Sequence, residues 1–522
     1  MPRPALVVAA AAAIALSLAP LLSAAPDIVA VTGGRVSGLL TDGIRVFRGI
    51  PYAAPPVGAR RWTPPQAVVP WRDVRDGSVY GPECQQTQYG ATSVYVRPMR
   101  PLSEDCLTVN VWTPAAAGAP ATLPVFVWVH GGALTRGSGT SDVRDGVPLA
   151  KKGVVLVSLN YRLGPFGYLA HPALSAESPE HASGNYGVLD QIAALRWVQQ
   201  NIAAFGGDPA RVTIGGESAG SWSVNTLVAS PLAKGLFIRA IGESGGRFVD
   251  TPSLSTDRPN LPSAETVGVA LAAAVGADSL AALREVPAAR ILAAPDFRTQ
   301  ENVDGWVLPD EIRTIFAKGA QNRVPVIVGQ NLHEMTSLGG NRVPASRQDY
   351  ERRIAAQYGP LARDFETAYG VKTDADIADA MLAASRDTVF SYHMREWARA
   401  TVASGDRAFM YLFSHQPPHP RRAELRAFHA SELPYVFNVL TFGDPREAGF
   451  AWTDADRRLA DQMSSYWTNF VKIGDPNGAG LPVWPAYDRA TEPYLELASP
   501  VRSGTHLFQR ELDFQSRVLT RP

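Results

Sequence analysis

Short apolar runs separated by turn residues occupy residues 29–128. The runs at 107–112 and 125–129 are typical of β-strands, because they are short and rich in branched and aromatic side chains. The run at 154–159 is almost continuously apolar, as expected of a strand that is covered on both faces. These runs predict a sheet with at least one fully buried strand.

The hydrophobic period changes after residue 185. Apolar side chains recur at spacings of three and four over 186–198, which predicts a helix that the glycine-rich stretch 205–209 ends. The elements predicted next are a strand, a helix and two more strands, at 211–214, 218–230, 236–241 and 324–328. Strands and helices thus alternate through the middle of the chain.

This alternation predicts an α/β fold with a central, mostly parallel, twisted sheet and helices on both faces. The alanine- and leucine-rich stretches at about 251–318 and 347–404 predict helical insertions over the carboxyl edge of the sheet, where α/β proteins bind ligands. We expect residues 26–522 to form a single domain that includes both insertions.

The N-terminal segment has a different composition. Arg3 provides a positive charge, residues 5–19 are apolar except for Ser17, and small residues follow at 23–25. This pattern predicts a signal peptide over residues 1–25 and a secreted or periplasmic protein. The alternative, a membrane anchor, is disfavoured because the apolar stretch is shorter than the roughly 20 residues that span a bilayer. We therefore expect no stable membrane anchor.

Charge and cysteine content narrow the range of partners. The formal net charge is zero and neither sign forms a long run, which argues against a nucleic-acid partner. The two cysteines, Cys84 and Cys106, are more typical of a disulfide in an exported protein than of a metal site, because no histidine lies close in sequence. We expect no metal and no organic cofactor, and the sequence makes no prediction of oligomeric state.

The strongest chemical signal is the G-x-S-x-G stretch at 216–220. It follows the predicted strand 211–214 directly and opens a predicted helix, the setting of a nucleophile elbow that exposes the hydroxyl of Ser218. On its own the pattern is weak, and a plain glycine-containing loop is the alternative. The strand before it and the helix after it favour a nucleophilic serine.

Such a serine requires backbone N–H donors for the oxyanion of a tetrahedral intermediate. Ala219, the residue after the serine, supplies one candidate. The stretch His130-Gly131-Gly132-Ala133 follows the strand at 125–129 and supplies further candidates, because glycines leave the amides unobstructed. A simple turn at the end of a strand is the alternative.

In this architecture an acid should follow the serine along the chain, and a histidine that acts as the base should follow the acid. Glu334 is the one carboxylate in the loop after the strand that begins at Val324, although glutamate is usually a surface residue. Among the later histidines, His429 stands in a short loop before an apolar segment and is favoured as base. His393 lies in a helical pattern, which we expect to place it on a solvated face.

Four stretches, at 104–111, 160–164, 205–209 and 212–220, resemble type-B carboxylesterases, the carboxylesterase/cholinesterase family of α/β-hydrolases. The resemblance covers most of the chain and implies an α/β-hydrolase fold with Ser218 as nucleophile, Glu334 as triad acid and His429 as base. The choline-binding branch is disfavoured, because the segment between Cys84 and Cys106 contains no tryptophan.

The resemblance also implies further assignments. The backbone donors of the oxyanion hole would be Gly132, Ala133 and Ala219, and Ser244 would support the triad from behind. The cysteine pair matches the first disulfide of the family.

The sequence departs from the family pattern at several places. Ala133 replaces a glycine in the oxyanion loop, and its methyl group would narrow the site. Gly215 replaces an aromatic residue and leaves a gap for another side chain to fill. Met335 follows the acid where a glycine is usual, and Trp222 stands where small residues are common.

Together these features predict a secreted serine carboxylesterase that acts on small-molecule esters through an acyl-enzyme. A lipase-like esterase that acts at interfaces is an alternative. A non-catalytic binding relative is disfavoured, because Ser218, Glu334 and His429 are all present.

Overall fold

The computed structural model describes residues 27–140, 144–338, 344–442 and 450–520. The predicted signal peptide, residues 1–25, lies outside these ranges. Among the described residues, no helix is both long enough and apolar enough to cross a membrane.

The strands are β1 Asp27–Val31, β2 Gly34–Thr41, β3 Ile44–Pro51, β4 Val74–Asp76, β5 Glu83–Cys84, β6 Leu102–Ser103, β7 Thr108–Thr113, β8 Leu123–Val129, β9 Val155–Leu159, β10 Gly207–Glu217, β11 Arg239–Glu243, β12 Val326–Asn331, β13 Ala408–Phe413, β14 Pro493–Leu497 and β15 Arg502–Thr505.

The helices are α1 Val147–Lys151, α2 Gly164–Tyr168, α3 Pro172–Glu177, α4 Tyr186–Asn201, α5 Ala219–Ala229, α6 Ala264–Ala274, α7 Leu280–Glu285, α8 Ala288–Leu292, α9 Ile312–Ala317, α10 Met335–Leu338, α11 Arg347–Tyr358, α12 Ala362–Tyr369, α13 Ile377–Arg386, α14 Tyr392–Ala403, α15 Arg422–Leu425, α16 Leu433–Val436, α17 Asp454–Ile473 and α18 Gln509–Leu519.

Within the described residues, thirteen strands form one sheet in the order β1-β2-β3-β7-β9-β8-β10-β11-β12-β13-β14-β15, with β4 beside β2. The strands from β9 to β14 in this order pair in parallel, whereas β1-β2-β3-β7-β9 and β14-β15 pair antiparallel and β4 pairs with β2 in parallel. The carboxyl ends of β8, β10, β11 and β12 therefore meet at one edge. The predicted mostly parallel sheet is confirmed.

The central strands are buried on both faces, which explains their continuous apolar sequences. In β8, Val125, Val127 and Val129 join one core, whereas Phe126 and Trp128 join a second core on the opposite face. The first core includes side chains from α4 and α5, and the second includes side chains from α1 and α17. Alternation along one strand thus builds two hydrophobic layers.

Helices α6 to α9 lie within the range 251–318, and α11 to α14 lie within 347–404, where the sequence predicts helices. Helices α11, α12 and α13 have a small core of their own, to which α18 contributes Phe514. The rings of Tyr358 and Phe365 stack in it with centroids 4.9 Å apart.

The strand before the elbow is longer than predicted. The sequence predicts 211–214, whereas β10 runs from Gly207 to Glu217. Its final residues pair with β8 on one side and β11 on the other, so that backbone hydrogen bonds extend the strand through glycines that carry no side-chain signal. The register shifts between Gly207 and Val212, which explains why the first residues do not show a strand pattern.

Cys84 and Cys106 form the predicted disulfide. It closes the segment 85–105, which brings Tyr89, Tyr95 and Arg97 to the same cavity as Ser218. The disulfide bond therefore stabilises the fold and also fixes a segment that forms part of the cavity wall.

Replacing both cysteines with alanine should lower the free energy of unfolding by about 3 kcal/mol, because the unfolded chain regains the entropy of a loop with a sequence separation of 22. Urea titration followed by circular dichroism measures the change. A reductant should shift the unfolding midpoint of the unmodified protein but not that of the double variant. Equal midpoints for the two oxidised proteins would contradict a stabilising bond.

Candidate active site

Ser218 occupies the sharp turn between β10 and α5. Its backbone has φ 58° and ψ −125°, a conformation that strains any residue with a side chain. The turn is closed by contacts that only glycine permits: a Cβ at Gly216 would lie 2.5 Å from the carbonyl carbon of Gly220, and one at Gly220 would lie 2.1 Å from the oxygen of Val129. Packing of these backbones holds Ser218 half-exposed at the carboxyl edge of the sheet.

The structure brings Ser218, His429 and Glu334 together from distant parts of the chain. The Nε2 atom of His429 lies 2.8 Å from Ser218 Oγ, and its Nδ1 atom lies 2.6 Å from Glu334 Oε2. Glu334 is fully buried, and its other oxygen accepts a hydrogen bond of 2.7 Å from the backbone N–H of Asn331. The carboxylate is therefore fixed from both sides.

This geometry sets the tautomer of His429. An ionised carboxylate only accepts hydrogen bonds, so the neutral imidazole carries its proton on Nδ1 and leaves Nε2 to accept from the Ser218 hydroxyl. Glu217 adds a second carboxylate, with Oε1 3.2 Å from Nε2. Burial lowers the pKa of His429, but Glu217 and Glu334 outweigh burial and raise the pKa above its ordinary value.

Two aromatic side chains confine the imidazole. The ring of Phe390 stacks against His429 at a centroid distance of 5.0 Å. Tyr95 meets it edge-on at 6.4 Å and donates a hydrogen bond of 3.0 Å to the backbone carbonyl of His429. The ring therefore has little freedom to rotate away from Ser218.

The predicted oxyanion loop lies beside Ser218. The backbone amides of Gly132, Ala133 and Ala219 make no hydrogen bond with any other group among the described residues, so they are available as donors. A Cβ at Gly132 would lie 2.3 Å from the oxygen of Arg136, which explains the glycine. Ala133 has φ 54°, a left-handed conformation that is rare for alanine, and its methyl group borders the cavity.

A cavity of about 280 Å³ opens above these groups. Its wall includes Ser218, His429, Gly132, Ala133 and Glu217. A small molecule in this cavity would contact both the serine hydroxyl and the free amides.

Ser244 is buried in the loop after β11, with its N–H bonded to Gly329 at 2.8 Å and φ 52°. Its hydroxyl has no hydrogen-bond partner among the described residues. The structure thus places Ser244 behind Ser218 in the fold without showing a bond to the triad. Trp222 packs against the core, with Arg247 over its ring at 5.5 Å, and does not line the cavity.

Two further carboxyl groups are buried beneath the site. Glu243 accepts a hydrogen bond of 2.7 Å from Trp467 Nε1, and Glu432 accepts one from Asn331. Burial raises the pKa of Glu243 to about 8 and raises that of Glu432 well above its ordinary value. Burial thus disfavours the ionised form of both groups, which limits the clustering of negative charges beneath Glu334.

The prediction that His393 lies on a solvated helix face is wrong. His393 is only 3% exposed, because α14 packs against β12 and β13 with this face inward. Burial lowers its pKa to about 3, so it is a neutral residue of the interior. Within the described ranges, no cluster of His, Cys, Asp and Glu could hold a metal ion.

Sequence reasoning missed three residues around the imidazole. Glu217 directly precedes the serine, so its position in the elbow could have predicted that it lies close to the site. Tyr95 and Phe390 reach His429 from a loop and from the helical segment before α14. Neither carries a local signal, because only the tertiary fold brings them near residue 429.

The comparisons with known proteins agree with this architecture. The model of the family described as "Carboxylesterase family" matches residues 25–515. Fumonisin B1 esterase of Sphingopyxis macrogoltabida is 36% identical over 490 residues, which cover 91% of this chain and 87% of that protein. Cocaine esterase of Homo sapiens is 35% identical over 512 residues, with 91% and 88% of the two chains covered.

Solved structures give the same result. A PNB esterase superposes with a TM-score of 0.81 at 33% identity and covers 95% of this chain and 100% of its own. A carboxylesterase of Geobacillus stearothermophilus, EST55, superposes with a TM-score of 0.80 at 33% identity and covers 94% and 100%. The range 25–515 that the family model matches includes Ser218, Glu334 and His429.

The imidazole of His429 should titrate above the ordinary histidine pKa of about 6.5. Replacing Glu217 with Gln should lower that pKa, because it removes one of the two carboxylates that stabilise the imidazolium. Titration of ¹⁵N-labelled histidine by NMR measures both values. Asp456→Asn, which removes the carboxylate beside His415 instead, is the matched control; an unchanged His429 pKa in Glu217→Gln would contradict the assigned cause.

Proposed function

This chain belongs to the carboxylesterase family and is a carboxylic ester hydrolase, and from this premise we propose that it acts through an acyl-enzyme formed on Ser218. The observation that carries the proposal is the line of contacts from Ser218 Oγ through His429 to Glu334, at 2.8 and 2.6 Å. A serine, an imidazole and a carboxylate in this order activate a hydroxyl for attack on a carbonyl.

In the first half of the reaction, Ser218 Oγ attacks the ester carbonyl carbon while His429 Nε2 takes the hydroxyl proton. The resulting imidazolium lies between two carboxylates, Glu334 at Nδ1 and Glu217 near Nε2. Both carboxylates stabilise the charged ring, which favours proton transfer from Ser218 to His429 during the attack.

The negative charge that develops on the carbonyl oxygen requires donors that are already in place. The amides of Gly132, Ala133 and Ala219 fulfil this role in the proposal, supported by their lack of other hydrogen bonds. Ala219 is also the first residue of α5, so the positive end of the helix dipole lies beside the oxyanion.

The tetrahedral intermediate then collapses. The bond between the carbonyl carbon and the alcohol oxygen breaks, and His429 donates its proton to the leaving alcohol. A water molecule repeats the sequence: His429 takes its proton, the hydroxide oxygen attacks the acyl carbon, and Ser218 leaves with the proton returned by His429. The products are a free acid, an alcohol and the regenerated enzyme.

We further propose that residues 26–522 form one exported catalytic domain in which 251–318 and 347–404 are insertions. The apolar leader sequence and the disulfide of Cys84 and Cys106 support export. Mass spectrometry of the protein recovered outside the cytoplasm tests this proposal: a chain that lacks about the first 25 residues is expected, and an uncut chain would contradict a cleaved signal.

Ser218→Ala should reduce hydrolysis of 4-nitrophenyl butyrate to below about 1% of the unmodified rate, because the nucleophile is lost. A fluorophosphonate should label the unmodified protein at Ser218, as seen by mass spectrometry, and should not label the variant. Ser223→Ala, which replaces a buried serine in α5, the helix that directly follows Ser218, is the matched control and should retain labelling. Residual activity well above 1% with an unchanged melting curve would refute the nucleophile.

Glu334→Gln should lower kcat about 10³-fold or more with little change in KM, because an amide at this position no longer holds the imidazole with its proton on Nδ1. Steady-state kinetics on the same ester measure the effect. A variant with an unaltered kcat would contradict the role of Glu334.

Comparison of dissolved 4-nitrophenyl butyrate with emulsified tributyrin tests the interfacial alternative, which predicts a higher rate on the emulsion.

A further inference from the structure

Three arginines, Arg97, Arg136 and Arg144, line the cavity that contains Ser218. Arg97 is neutralised by Glu83, which it contacts with both terminal nitrogens at 2.7 and 2.9 Å. The other two form no ion pair with any carboxylate in the part of the chain that the structure describes. Glu217 is the one carboxylate of the described lining, so the cavity wall has an excess of positive charge.

Hydrogen bonds hold the side chain of Arg136 at Nε but not at its two terminal nitrogens. It belongs to the turn that follows the oxyanion loop, where its N–H bonds the oxygen of Gly132 at 2.9 Å. Its Nε donates to the backbone oxygen and the hydroxyl of Thr87, and the guanidinium lies 5.0 Å above the ring of Tyr89. The two terminal nitrogens make no hydrogen bond with the described residues, so a rigidly placed fork of N–H donors is free for a ligand.

Arg144 lies deeper in the same wall. Its single hydrogen bond among the described residues is a long one of 3.4 Å to the oxygen of Ser138, and its Nε is buried without a partner. Burial lowers the pKa of Arg144, and the charge of Glu217 opposes that effect. Among the described residues no ion pair joins Glu217 to this guanidinium, and Glu217 Oε1 lies 3.2 Å from His429 Nε2 instead.

Arg144 has a buried Nε without a partner, which is unfavourable because its desolvation is not offset. Arg136 is only partly buried, and its two terminal nitrogens have no hydrogen-bond partner among the described residues of the same cavity. An anion that enters with the substrate would supply the missing counter-charge and accept the unused N–H donors.

We propose that this enzyme is adapted to esters that carry a free carboxylate, which Arg136 and Arg144 bind while Ser218 attacks the ester bond. The inference rests on the proposed function, since it assumes that Ser218 acylates in this cavity. The carboxylate is planar and matches the fork of a guanidinium. The volume of about 280 Å³ is just below the usual size of ligand cavities, roughly 300–1,000 Å³, which favours short esters.

The carboxylate could belong to the acid or to the alcohol of the ester, and two pairs of substrates distinguish these sources. Monoethyl succinate is compared with ethyl 4-methylpentanoate, in which an isopropyl group replaces the carboxylate. The butyrate ester of 3-hydroxypropanoate is compared with 3-methylbutyl butyrate in the same way. Products are quantified by chromatography, and kcat/KM is determined for each ester.

We expect the unmodified enzyme to prefer the charged ester of at least one pair by about tenfold or more, as for a charge-assisted hydrogen bond. Arg136→Gln and Arg144→Gln should each lower kcat/KM of the charged ester more than that of the neutral ester, so that most of the preference is lost. Arg100→Gln is the matched control, because Arg100 also stacks on a tyrosine but does not line the cavity. It should keep the full preference.

A second measurement covers the case in which Arg144→Gln does not fold. Glutarate should competitively inhibit hydrolysis of the neutral ester, and Arg136→Gln should raise the inhibition constant about tenfold. If the enzyme hydrolyses neutral esters but shows no preference in either pair, or if the preference survives in both arginine variants, the proposal is overturned. If neither class of ester is hydrolysed and Ser218 remains unlabelled, the proposed function itself fails.

Discussion

The close packing of three backbone segments around residue 218 is the constraint on which the site depends. Gly216, Gly220 and the end of β8 approach one another so closely that no Cβ fits between them. This packing forces Ser218 to φ 58° and directs its side chain away from the sheet. The strain of about 1–3 kcal/mol in such a backbone persists because β10 is hydrogen-bonded on both sides, to β8 and β11. A rigid sheet edge thus determines where the Ser218 hydroxyl stands before any substrate arrives.

Electrostatics under this edge follow from burial. Glu334, His429 and Glu217 are all removed from water, and the charged form of His429 is stabilised by its two carboxylate neighbours. Glu243 and Glu432 would add two more negative charges, but burial raises the pKa of each. Burial thus disfavours ionisation of the deeper groups, whereas Glu334 and Glu217 contact the imidazole directly and raise the pKa of His429.

Local patterns predicted much of this structure from the sequence. The elbow around Ser218, the loop before Ala133 and the strands that lead to them each have a short-range signal of glycine or of continuous apolar residues. Gly215 shows how a local departure is compensated at a distance: a Cβ there would lie 2.5 Å from the ring of Phe126, which fills the space on the neighbouring strand. The burial of His393 and the stacking of Phe390 on His429 could not be predicted, because each depends on how distant helices dock on the sheet. Periodicity identifies a helix and its apolar face but not the element that covers its polar side chains.

The position of the arginines in the cavity could not be predicted from the sequence either, and only the fold shows it. Along the sequence Arg136 and Arg144 are ordinary surface residues, since arginine is usually exposed. In the fold they line the cavity that contains Ser218, and neither pairs with a carboxylate of the described residues, whereas Arg97 in the same wall does. Because both guanidinium groups line the cavity with N–H donors that no described residue uses, binding of an anion explains their presence there better than packing does. The same charges would attract an anionic ester toward the cavity and would also retain the released acid, so that a preference for charged substrates implies sensitivity to inhibition by the carboxylate product.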